Sequence, residues 1–476
     1  MNNKKLKPTS KQVSGNVRKI ALKNRSAVEM IAEEPAIILE RAINGSKKIV
    51  FNLEKNKTVK KAEEFWHLLG PGLTTGAADD DPSGIATYSQ AGAKYGFQWL
   101  WLATFTFPLM AVAQEMCARI GLVTGSGLAA NIKKHYSKKI LILCTVLLFA
   151  ANTFNIGADL GAMAQATQLL FPKFNFSFLV IAFALVSLLL QIFTTYQKYA
   201  KYLKWLAMIL LSYVFSALII DLDWQKIFHA TILPSFSFSK DAILLITGVL
   251  GTTISPYLFF WQTSQEVEEE IMKGNTSIKS RKGASHEEIK EMRVDVWSGM
   301  FLSNIVMFFI IAACAATLNV NGITNINTAA DAAAALRPLA GDASYLLFAL
   351  GVIGTGLLAI PVLAGSISYA LSESFNWKEG LYRKLNKAYA FYGIIIISII
   401  VGLILNFINL DPIKALIYSA VANGIIAPLI LALIVLISSN KKIMGEHVNG
   451  PITKIFGWIV TTLMIVAGVA AIYSLL

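Results

Sequence analysis

The chain has 476 residues, is 55% hydrophobic, and carries a mean hydropathy of +0.57 with a formal net charge of +13. That apolar share is above what a soluble domain carries, so the chain needs lipid as a solvent, and its length does not imply a row of globular domains. The Lys and Arg residues gather in residues 2–61 and between apolar runs, which is a positive-inside pattern and excludes a nucleic-acid footprint.

In chain order, residues 1–64 read as a basic cytoplasmic tail with no apolar core at its start, so it is not a cleaved secretory signal. Residues 65–476 read as one transmembrane transporter domain. Its apolar runs predict eleven spans near 68–94, 98–121, 140–170, 176–195, 203–221, 241–265, 294–318, 343–372, 390–409, 413–437 and 453–475. Lys133, Lys134, Lys138 and Lys139, then Lys198, Lys201 and Lys204, then Lys378, Arg383, Lys384 and Lys387, then Lys441 and Lys442 fall on one side, taken as the cytoplasm. The alternate loops carry isolated charges such as Lys173, Lys226 and Arg337, so the C-terminus is expected outside. Residues 266–293, with Glu266, Glu268, Glu269 and Glu270 ahead of Lys279, Arg281 and Lys282, read as a solvated linker. Cys117, Cys144 and Cys314 sit in apolar runs without metal-ligand spacing and read as inert core thiols.

The chemistry gathers in the first span, where residues 70–84 run Gly-Pro-Gly-Leu-Thr-Thr-Gly-Ala-Ala-Asp-Asp-Asp-Pro-Ser-Gly. A charged side chain at membrane depth costs roughly 3 kcal/mol and is tolerated beside a cavity or an ion path. Asp79, Asp80 and Asp81 therefore mark a functional site, and Pro82 and Gly84 are expected to break the helix and free carbonyls. The sixth span has a second interruption, predicted from Gly248, Gly251 and Pro256. Two broken spans five apart are what two inverted five-helix repeats produce, with an ion or solute site at the midplane. The fold class is thus an all-α polytopic membrane protein of about eleven helices. It has a LeuT-like five-plus-five inverted repeat with broken helices 1 and 6, covering about 65–222 and 241–437, and an extra helix near 453–475.

These residues resemble a family. Asp81-Pro-Ser-Gly84 is similar to the Asp-Pro-Gly-Asn signature of the NRAMP divalent metal transporters. Gly70-Pro-Gly72, the stretch 92–101, the stretch 114–125, Ala158-Asp-Leu160 and Ile254-Ser-Pro-Tyr257 extend the resemblance over residues 65 to about 440. It implies a metal held by the Asp and Asn of the first signature, by a Met in span six, and by a carbonyl one turn before that Met. On this chain those positions are Asp81, Gly84, Ser255 and the carbonyl of Thr252, with Asp79, Asp80, Thr253, Asp159 and Asn423 as secondary candidates.

The departures from the pattern turn the site hard. Without the thioether an all-oxygen site remains, which suits Mg2+, Ca2+ or Mn2+, and fewer ligands suit an ion that keeps its waters. Gly84 and Ser255 resemble the NRAMP-related magnesium transporter branch. The His residues and the Glu of the family's proton path become Tyr257, Gln262 and Ala162, leaving Asp159. The implied function is uniport of hydrated Mg2+, with Mn2+ second, by alternating access in a prokaryotic cytoplasmic membrane. The partners implied are the metal ion and the bilayer, with no resident cofactor and no nucleic acid. A sodium-coupled symporter of a small organic solute and a proton-coupled Mn2+/Fe2+ transporter are the competing readings. No nucleophile, base or metal triad points to an enzyme. Glu115 and Arg119 are spaced for an ion pair on one helix face, and Trp99, Trp101 and Trp458 for membrane-interface anchors.

Overall fold

The computed structural model describes residues 70–194, 214–215, 223–235, 239–334, 336, 341, 344–408 and 410–476. The expected tail, the fifth span, Lys198, Lys201, Lys204 and Arg337 lie outside the described residues. The helices in chain order are α1 (Pro71–Asp79), α2 (Pro82–Tyr95), α3 (Trp101–Thr124), α4 (Leu128–His135), α5 (Lys138–Leu170), α6 (Phe176–Phe193), α7 (Trp224–Ile232) and α8 (Lys240–Thr253). They continue as α9 (Pro256–Met272), α10 (His286–Cys314), α11 (Ala329–Ala334), α12 (Ser344–Phe375), α13 (Tyr389–Leu405), α14 (Pro412–Ser438), α15 (Lys441–Met444) and α16 (Pro451–Leu475). Every expected span except the fifth coincides with one of these helices or with a broken pair, α1 with α2 and α8 with α9. By length and hydropathy seven of the described segments can cross a bilayer.

Local chemistry sets the helix ends. Pro occupies the first turn of α1, α2, α9, α14 and α16, where its missing N–H costs nothing. Ser137, Asn175, Ser239 and Asp411 cap α5, α6, α8 and α14 with side-chain oxygens. Ser285 and Glu288 form a capping box at the start of α10.

Glycine brings backbones together around the broken helices. A Cβ at Gly76 would sit 2.3 Å from the carbonyl oxygen of Gly299, and one at Gly72 2.6 Å from the Cα of Val296, so α1 lies directly on the backbone of α10. The Asp295 carboxylate then takes the N–H groups of Gly70 and Gly72, each at 2.7 Å, and of Leu73 at 3.2 Å. It satisfies the free donors at the N-terminus of α1 and complements its dipole. Gly251 plays the matching part between α8 and α14, with a built Cβ only 2.1 Å from the Ala420 carbonyl oxygen. Gly248 and Gly251 therefore lie inside α8 and do not interrupt it. The role of Gly251 is close packing.

Other expectations change in the same way. Residues 266–272 continue α9, and Glu266, Glu268 and Glu270 are buried, not solvated. Glu268 accepts from the Tyr369 hydroxyl at 2.6 Å and from the N–H of Leu381 at 2.8 Å, donors that lie far along the chain. Arg281 then fastens the following turn to the Gly125 carbonyl at 2.7 Å. Glu115 pairs with Arg293 of α10 at 3.0 Å and accepts from Trp297 at 2.8 Å, while Arg119 donates to Asn449. Trp99 is buried and stacks on Tyr95 at 3.8 Å, so it is a core residue and not an interface anchor. The three cysteines are buried and free.

The close contact of α1 on α10 has a direct test. Gly76→Ala should weaken the fold by about 1–3 kcal/mol through overpacking. Gly393→Ala, at a helical site with nothing within 4 Å, should be neutral or stabilising by up to about 1 kcal/mol. Thermal unfolding of the two variants in detergent reads the difference, and equal midpoints would refute the packing argument.

Candidate metal site

The two broken spans have one design. In the first, α1 ends at Asp79, Asp80 has φ −86° and ψ 48°, Asp81 is extended at φ −64° and ψ 172°, and Pro82 opens α2. In the second, α8 ends at Thr253, Ile254 has φ −116° and ψ 59°, Ser255 is extended at φ −80° and ψ 131°, and Pro256 opens α9. Each break is two residues followed by proline, because proline fits a first turn and forces its predecessor out of the helical region. The first break therefore falls on Asp80 and Asp81, ahead of Pro82. Gly84 stands within α2 and its carbonyl is not freed by the break.

Asp81 is held from two sides. Its Oδ1 accepts from the Gly84 N–H at 2.7 Å, which caps α2, and its Oδ2 accepts from Asn155 Nδ2 on α5 at 2.9 Å. Asn155 Oδ1 in turn accepts from the Ser419 hydroxyl on α14 at 2.8 Å. The Asp81 carboxylate accepts from the NH2 end of Asn155, which leaves Oδ1 to accept from Ser419. Asn155 was not among the expected site residues. The signal was present in the polar positions 152, 155 and 159 of an apolar helix, which share one face at helical spacing.

The other carboxylates are placed differently. Asp79 Oδ2 accepts from Ser303 of α10 at 2.8 Å, which ties the C-terminal end of α1 to the helix that also caps its start. Both oxygens of Asp80 and both of Asp159 are buried and take no hydrogen bond from the described residues, and the Asn423 amide is in the same condition. Buried polar atoms of this kind call for water or a cation. Among the described residues no three His, Cys, Asp or Glu side chains are grouped so as to hold a metal ion. The arrangement accordingly offers one or two carboxylates with neutral oxygens, not a carboxylate cage.

From the second break, the Ser255 hydroxyl lies 2.8 Å from the Gly251 carbonyl and 2.5 Å from that of Thr252. Ser255 and the Thr252 carbonyl thus meet each other. Among the described residues the Thr252 hydroxyl has no hydrogen-bond partner, and it is 3.2 Å from where a Cβ on Gly84 would stand, with the Asp79 carbonyl at 3.1 Å. Gly84 is the point where the two breaks touch. Thr253 is turned into packing, its hydroxyl on the Val249 carbonyl at 2.7 Å and beside Tyr88 at 3.1 Å. Tyr257 donates to the Ala78 carbonyl at 2.8 Å and so occupies an acceptor that the first break leaves free. Gln262 donates to Glu266 at 2.8 Å.

Comparison with known proteins agrees with this architecture. The chain is 25% identical over 418 residues to the divalent metal cation transporter MntH of Caldanaerobacter subterraneus subsp. tengcongensis, spanning 86% of this chain and 94% of that one. Its fold is similar to the crystal structure of the Eremococcus coleocola manganese transporter in complex with an aromatic bis-isothiourea substituted compound, with a TM-score of 0.66, 18% identity and 84% of each chain covered. It is also similar to Mhp1, a nucleobase-cation-symport-1 family transporter, with a TM-score of 0.53, 16% identity, and 85% and 90% of the two chains covered. The model of the natural resistance-associated macrophage protein-like (Nramp) family matches residues 72–474, and the chain belongs to that family of membrane metal transporters.

Proposed function

We propose that this family member carries a hydrated hard divalent cation, Mg2+ ahead of Mn2+, without coupling it to protons. The observation that carries the reading is the paired break itself, in which Asp80 and Asp81 form the first break, Ser255 on the Thr252 carbonyl forms the second, the two meet at Gly84, and no thioether takes the place of Ser255. An oxygen-only set with few protein ligands favours an ion that retains water. Asp81 and Asp80 supply charge. Asn155 aims Asp81, in the way outer partners orient a ligand.

The absence of proton coupling is argued from the groups around the site. Tyr257 and Gln262 stand where the family pattern has His, and Tyr257 is engaged with a backbone carbonyl. A phenol with an ordinary pKa near 10 does not exchange protons at neutral pH as an imidazole does. Alternating access then follows from the breaks. Because α1 is fastened to α10 at Asp295, at Gly72 and Gly76, and at Ser303, these two helices change position together.

Three measurements in proteoliposomes test the reading. Asp81→Ala should abolish divalent uptake in a protein that remains monodisperse, and Asp80→Asn should raise KM by about tenfold or more. Uptake unchanged in Asp81→Ala would remove Asp81 from the site. Ser255→Met, alone and combined with Gly84→Asn, should move the Mn2+ over Mg2+ preference upward by about tenfold, and an unmoved preference would refute the ligand argument. Asn155→Leu should raise KM with Vmax largely kept, whereas Ser419→Thr, which retains the hydroxyl, should behave as wild type. An unchanged KM in Asn155→Leu would contradict its positioning role.

A further inference from the structure

At the ends of α6 and α9 a groove of about 710 Å³ opens toward the segment 381–386 and the start of α13. Ile192, Phe193, Leu385 and Tyr392 give it apolar walls, and Arg383 and Lys384 stand in its lining. Phe193 is 77% exposed. The apolar surface continues along α6 through Leu185 and Leu189 and along α13 through Ile397 and Ile400, and the two helices pack side by side. This seam is the outer, lipid-facing side of the bundle.

Arg383 is held within its own loop. Arg383 donates its Nε to the Glu379 carbonyl at 2.9 Å and lays its guanidinium over the Tyr382 ring, 4.7 Å from the centroid. Among the described residues no carboxylate forms an ion pair with Arg383 or Lys384. Burial, with Glu373 and Glu268 adding to it, pushes the Glu379 carboxyl up to about 9, so at neutral pH it offers Arg383 no negative charge. A guanidinium matches a phosphodiester, and an ammonium beside it adds a second point charge. Lys378 and Lys387 lie in the same loop, so the field at the mouth of the groove is positive.

An occupant must therefore combine a phosphate with a long apolar body and reach the site from the bilayer. We infer that the groove is a binding site for an anionic phospholipid, with its phosphate on Arg383 and Lys384 and an acyl chain along the seam between α6 and α13. Basic pockets between membrane helices on the cytoplasmic side hold anionic head groups by this chemistry. The site lies at the end of α9 far from the break and would stand whichever ion is carried.

The experiment is native mass spectrometry and thermal unfolding of the full-length protein in detergent, titrated with phosphatidylglycerol, phosphatidylcholine or inorganic phosphate. Phosphatidylglycerol should remain bound and raise the unfolding midpoint, while phosphatidylcholine and inorganic phosphate at equal concentration should not. Arg383→Gln with Lys384→Gln should lower phosphatidylglycerol retention about tenfold. Lys441→Gln with Lys442→Gln, an equal change of charge on another loop, should leave it unchanged. Equal retention of the two lipids, reproduction of the stabilisation by inorganic phosphate, or an equal loss in both double variants would overturn the assignment.

Discussion

A carboxylate buried among membrane helices must find donors or a cation, and this requirement governs the centre of the molecule. Asp81 finds donors in Gly84 and Asn155, Asp79 finds one in Ser303, and Asp80 and Asp159 find none among the described residues. Satisfying Asp81 fixes the start of α2, draws α5 toward it through Asn155, and reaches α14 through Ser419. Satisfying Asp79 draws α1 onto α10. Water or a hard cation would satisfy the oxygens of that second pair. α2, α5, α10 and α14 are therefore each tied to the first break by how one of these charges is answered.

The second constraint is distance between backbones. Gly72, Gly76 and Gly299 let α1 lie on α10, and Gly251 lets α8 lie on α14, so the two broken spans are each seated against an unbroken helix. Gly84 then lets the breaks meet, with the Thr252 hydroxyl filling the space where a side chain would project. In a bilayer, where lipid competes with any apolar contact, such close seams and their hydrogen bonds supply the specificity that hydrophobic burial cannot. The candidate site thus inherits its shape from glycine packing as much as from its polar side chains.

Part of this was legible in the sequence. Three Asp residues inside an apolar run beside Pro82 announce a break, and the Ser-Pro pair at 255 and 256 announces its partner, because both patterns are costly unless used. The exact position followed from a rule about proline, which opens a helix more readily than it ends one, so the interruption lies at Asp80 and Asp81. Gly248 and Gly251 misled because glycine serves both as a breaker and as a contact surface, and only the facing backbone of α14 decides between them. Asn155 escaped notice because an amide in a membrane helix is common, although its phase with Asn152 and Asp159 was visible. Glu268 read as part of a solvated run because its donors, Tyr369 and the loop after α12, are more than a hundred residues away.

The proposed site is hard and oxygen-only and works without a proton partner. The most direct test loads proteoliposomes of the wild-type protein with a magnesium-sensitive dye and a pH dye together and applies an inward Mg2+ gradient. Mg2+ entry with no change in internal pH is the predicted result. Mn2+ entry accompanied by internal acidification, with no Mg2+ signal, would contradict it.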